Sequence, residues 1–253
     1  EAALATHARA IPELSAPALA TLAELRLAQG RLREAAGLLA GREEHPDCLR
    51  AQALLHLAQG RPAAAITLLR RGLQEVEDNI VQATHLLAAL ADAYLAAGEV
   101  REAAEAAERL ARTAEDSGLR IGCARADLAR ARVALAAGAP SRAAAPARRA
   151  LRAFGIMAMP LEVGLARLEL ARSLAPEDPD VARDEVHAAM DAFRDLGATR
   201  ALDTAAAVLR GLGERVALRP RTTGALTARE AEVLDLLALG MSNARIATVL
   251  HIS

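Results

Sequence analysis

Lysine is absent from this chain, so all 31 of its basic residues are arginine. No Schiff-base lysine and no phosphate-loop lysine can therefore operate within the segment. Tryptophan is also absent, and one tyrosine and two phenylalanines make up the aromatic set. A core must then be assembled from Ala, Leu and Val, and an aromatic-lined small-molecule pocket is disfavoured. The two cysteines, Cys48 and Cys123, resemble neither a metal-ligand set nor a disulfide framework. That fits a reducing, cytoplasmic compartment. The six histidines (His7, His45, His56, His85, His187, His251) include no pair at metal-binding spacing. No apolar run of about 18 residues and no signal peptide stand out, so no membrane partner is expected. A formal net charge of −1 provides no global attraction to nucleic acid, and any such contact requires a local patch. The chain opens at Glu1 without an initiator methionine and reads as a fragment.

What the chain does have is alanine and leucine. Apolar residues form 53% of it, and the strand-favouring types are scarce. Ala and Leu are strong helix formers, and Ala lets helices approach closely, so an all-α fold is expected. The pattern A-x3-L-A-x-G-x4-A occurs four times, anchored on Gly30, Gly60, Gly98 and Gly138. Leu174, Ala175, Glu177 and Ala182 form a degenerate fifth copy. The alanine seven residues before each glycine and the leucine three before it lie four apart, on one helix face. Glycine then ends the helix, and the alanine five residues on falls in the next helix, where a small side chain permits close antiparallel packing. Each unit is a helix hairpin, and stacking is needed to bury its remaining apolar face.

The third copy (Leu90, Ala91, Tyr94, Gly98, Ala103) resembles a tetratricopeptide repeat most closely. The expected architecture is a tetratricopeptide-like α-α superhelix over 1–213, followed by a linker at 214–225. Asp180 is expected to cap a helix within the fifth unit, and 191–212 to form a last helix pair broken at Gly197. Arg142, Arg148, Arg149 and Arg152, and the acidic run 177–195, read as solvated faces. The linker is basic: from Arg210 to Arg229 five arginines stand against Glu214. It is either a phosphate contact or a plain tether.

After the linker, Thr227 and Glu230 form a capping box, Val233, Leu234, Leu236, Leu237 and Leu239 give a core stripe, and Gly240 stops the helix. Ser242-Asn243 opens a second helix carrying Ile246, Ala247, Val249 and Leu250. The stretch Leu226 to Ser253 closely resembles the opening of a LuxR-type helix-turn-helix. It departs from the usual pattern at Ala228 and Arg245, where proline and glutamate are common. The resemblance implies DNA as partner and a third, base-reading helix that lies beyond Ser253, so the domain at 226–253 is partial. Within it, phosphate contacts are expected from Thr227, Arg229, Ser242, Asn243, Arg245 and Ser253.

Helical repeats before such a module suggest the large MalT-like group of regulators. An ATPase domain upstream, and repeats that sense a signal or self-associate, would follow from that likeness. The expected function is DNA-binding transcription regulation. The alternative is a helical-repeat scaffold that binds protein without DNA. An enzyme is the third reading, and nothing supports it: the sequence offers no catalytic residue set, cofactor motif or metal cluster.

Overall fold

A computed structural model describes residues 12–42, 45–76 and 79–214, with the side chains of 12–15 left aside. These residues all lie within the first of the two units into which the chain divides, 1–215 and 216–253. Among them the regular structure is helical, with no strand. The helices are α1 (Pro12–Ala28), α2 (Leu32–Leu39), α3 (Leu49–Ala58), α4 (Pro62–Glu75), α5 (Ile80–Ala97) and α6 (Val100–Asp116). Then come α7 (Arg120–Ala136), α8 (Pro140–Ile156), α9 (Pro160–Leu174), α10 (Pro179–Leu196) and α11 (Thr199–Gly211). A 3-10 turn, Pro46–Cys48, leads into α3.

Each hairpin is made as the repeat dictates. At Gly30, Gly60, Gly98 and Gly138 the backbone takes positive φ, which a glycine adopts without a Cβ clash. The residue after each glycine donates its N–H back to the carbonyl four residues before the glycine: Arg31 to Arg26, Arg61 to His56, Glu99 to Tyr94, Ala139 to Ala134. This satisfies a carbonyl that the helix end would otherwise leave open. The second helix of each pair then starts two residues past the anchor, at Leu32, Pro62, Val100 and Pro140. Proline is favourable there, since the first helical N–H has no partner to lose. The fifth copy has Glu177 at the anchor and makes a different turn, in which Asp178 donates to Leu174. The side chain of Asp178, rather than that of Asp180, caps α10 by accepting from the Val181 N–H. Asp180 sits inside the first turn because Pro179 already occupies the first helical position. Residue 191 likewise begins nothing: α10 runs unbroken through it to Leu196, and only Gly197 ends it.

The repeat alanines explain the packing. The five that follow the anchors in the second helices (Ala35, Ala65, Ala103, Ala143, Ala182) are completely buried, as are Ala23, Ala53, Ala91 and Ala131 before them. Methyl side chains at both positions bring the paired helices close. The second helices are strongly amphipathic and form an outer layer, while the first helices α1, α3, α5, α7, α9 and α11 pack on one another in order as an inner layer. The last of these touches the first, so the stack closes on itself. Thr199 at the start of α11 donates its hydroxyl to the Gln29 carbonyl at 2.8 Å. A Cβ at Gly30 would lie 2.7 Å from that hydroxyl oxygen, so the first anchor glycine is fixed both by its φ and by this contact.

Helix α5 is, by length and composition, apolar enough to cross a membrane, although the sequence pattern above identified no such run. In this fold it is a core helix: Leu86, Leu87, Leu90 and Ala91 are buried against neighbouring repeats. Ala158 is the one non-glycine residue with positive φ (52°) among the described residues. It ends α8, where Gly118 and Gly197 end α6 and α10. A left-handed alanine costs about 1–2 kcal/mol, part of which glycine returns as backbone entropy. Ala158→Gly is therefore expected to stabilise the fold by about 0.5 kcal/mol and to raise the melting temperature by about 1–2 °C in a thermal unfolding scan.

Candidate functional site

The inner layer carries two charged levels that the first helices build together. Asp92 on α5, Arg132 on α7 and Glu169 on α9 form the first. Arg132 donates from Nη1 to both Asp92 carboxylate oxygens at 2.7 and 2.9 Å, and from Nε to Glu169 Oε1 at 3.1 Å. Arg172 donates to the other Glu169 oxygen at 2.8 Å. Burial works against the Arg132 charge, but Asp92 and Glu169 outweigh it and hold its pKa above the usual guanidinium range. Every charge at this level has a partner.

The second level lies seven residues earlier on the same three helices, at His85, Arg125 and Glu162. Seven residues are nearly two turns, so each side chain shares a helix face with its counterpart about 10 Å away. Here the pairing fails. Arg125 makes no ion pair among the described residues, and its Nη1 is buried without a hydrogen-bond partner. Its pKa is pushed down to about 10, first by burial and then by the charge of Arg50; Glu162 and Glu24 pull the other way. It is still a cation at neutral pH. His85 is lowered to about 4 by burial, then by Arg125 and Arg50, and stands neutral. Arg50, from α3, is itself paired with Glu24 of α1. His56 Nδ1 is the other buried unpaired side-chain atom among the described residues; burial, then Arg61, lowers that imidazole's pKa.

In the outer layer, a groove of about 370 Å³ lies over α5 between α4 and α6. Leu73, Leu87, Leu90 and Tyr94 give it an apolar lining, and Arg70 and Arg109 are among its charged residues. Tyr94 packs against the central hydrophobic cluster. The charged runs seen in the sequence are exposed or locally paired. Arg142, Arg148 and Arg152 are exposed, and Arg149 forks onto Asp127 at 2.6 and 3.1 Å. In the acidic run, Arg183 pairs with Asp180, Arg194 with Asp191, and Arg167 with Glu185. No group of His, Cys, Asp and Glu among the described residues has the arrangement of a metal site.

The phosphate-contact residues expected from the sequence, Thr227, Arg229, Ser242, Asn243, Arg245 and Ser253, lie outside the described residues. So do all but the first residue of the expected linker and the whole partial helix-turn-helix. Sequence reasoning missed the two inner charged levels. Their signal was present: Glu24, Asp92 and Arg132 all stand six residues before an anchor glycine.

Residues 224–253 match the family described as bacterial regulatory proteins, luxR family. This ties the chain to DNA-binding transcription regulation. A solved structure described as the crystal structure of BtubC (BKLC) from P. vanneervenii is similar over 85% of this chain and 96% of that one. Its identity is 18% and its TM-score 0.49. No curated protein matches the chain in sequence.

Proposed function

Starting from the luxR-family match at residues 224–253, we propose that the chain is part of a regulator in which a helical-repeat domain (1–213) acts as sensor or assembly surface. A linker (214–225) joins it to the DNA-binding module (226–253), which binds promoter DNA together with the base-reading helix that follows in that family. The match carries the reading. The repeats support it as a surface able to hold a signal, another copy of the chain or another protein. Cytoplasmic location and an ATPase domain upstream belong to the same proposal.

Within the module, the motif assigns Arg229 and Arg245 to neutralise phosphates, and Thr227, Ser242, Asn243 and Ser253 to donate hydrogen bonds to them. Arg229→Ala and Arg245→Ala in the native-length protein are expected to weaken binding to all sequences alike. Each also lowers the slope of log affinity against log salt by about 1. Fluorescence anisotropy on labelled duplexes reads both effects. An unchanged slope in both variants would remove these arginines from the interface.

The groove between α4 and α6 favours a second reading, a scaffold that holds a partner on the outer layer. That reading predicts partner capture by the repeats with no DNA enrichment.

A further inference from the structure

We propose that Arg125, together with His85 and Arg50, forms a binding site for a small oxyanion, a carboxylate or phosphate group, on the inner layer of the superhelix. The two charged levels differ by one partner. At the first, Arg132 lies between Asp92 and Glu169 and is satisfied on both sides. At the second, Arg125 occupies the position of Arg132 and Glu162 that of Glu169, while His85 stands where Asp92 would. One carboxylate is missing. The Nη1 of Arg125 has no hydrogen-bond partner, although a buried guanidinium is costly unless paired.

Glu24 cannot supply the missing charge, because Arg50 already holds it. Glu162 is near enough to act on Arg125 but makes no ion pair with it. A bound oxyanion would take the place of the Asp92 carboxylate, accept from the Arg125 fork and accept from a His85 ring N–H. Guanidinium suits such planar, two-point recognition of carboxylate or phosphate. A half-buried cation whose Nη1 is fully enclosed and whose charge is opposed by desolvation is a candidate functional position. As a signal site this rests on the regulator reading; as a binding site it stands on the cluster alone.

The test is thermal unfolding of the 253-residue chain at constant ionic strength, with chloride exchanged stepwise for acetate, inorganic phosphate or sulfate. At least one oxyanion is expected to raise the melting temperature saturably, by about 5 °C near saturation. The acetate and phosphate arms separate the two ligand classes. His85→Asp installs the absent carboxylate. It should melt above the parent chain in chloride and show no further rise with the oxyanion. Arg125→Gln should show no rise either. If no oxyanion exceeds chloride, or if the rise is unchanged in both variants, the site does not exist. DNA binding plays no part in this readout, so its outcome and that of the regulator reading are independent.

Discussion

Replacing Arg132 by methionine is expected to destabilise the chain by about 3 kcal/mol, lowering its melting temperature by roughly 10 °C. The loss comes from the two carboxylates left behind, since methionine preserves most of the side-chain volume. Removing one partner of a buried pair typically costs 3–5 kcal/mol. The lower end applies here because Asp92 is 35% exposed and can recruit water. Glu169, only 6% exposed, keeps Arg172. A triple variant, Asp92→Leu, Arg132→Met and Glu169→Leu, should recover most of the loss, because apolar residues of similar size often replace a buried ionic cluster at little cost. Urea unfolding of the three proteins separates the outcomes. If the single variant is as stable as the parent, the network does not hold α5, α7 and α9 together.

Acid should weaken the fold through His85. Its pKa falls from 6.5 to about 4 on folding, through burial first and then the charges of Arg125 on α7 and Arg50 on α3. Between those values the unfolded chain binds a proton that the folded chain does not, so stability rises with pH. The contribution is complete above pH 6.5 and is lost as the pH drops toward 4. Moving from pH 7 to 4.5 costs about 2 kcal/mol from this residue. Other groups contribute at the acid end. The Glu108 carboxyl is lowered through its hydrogen bond with Arg130, and that stability is also lost on acidification. His85→Gln isolates the imidazole: the variant should lose about 2 kcal/mol less than the parent between pH 7 and 4.5, read by urea unfolding at each pH. Equal losses in the two proteins would remove His85 as the titrating group. An oxyanion bound at Arg125 should reduce the parent's loss, because a nearby negative charge favours protonated His85.

The repeat alanines show how far the sequence reaches. Positions seven before and five after each anchor recur because small side chains are needed where paired helices touch, and both sets are fully buried. Local spacing thus predicted the hairpins, their order and the glycine stops of the first four. The cap of α10 was misplaced by two residues, since Pro179 sets the helix start and leaves Asp178 as the cap. Ring closure between Gln29 and Thr199 was not legible, because no local pattern relates residues 170 apart. The charged levels were hidden for another reason. Asp92, Arg132 and Glu169 look like ordinary solvated charges along each helix, and only the stacking of first helices brings them together. The expected phosphate contacts are the reverse case: they rest on the motif alone, and their residues lie outside the described ones.

The most direct test of the regulator reading is the affinity of the native-length protein for duplex DNA between 50 and 200 mM salt. The account predicts binding whose logarithm falls linearly with log salt, through counterion release from contacted phosphates, and a tighter class of sites among fragments of its own genome. No binding to any fragment at 50 mM salt would contradict it and leave the repeats as a protein-binding scaffold.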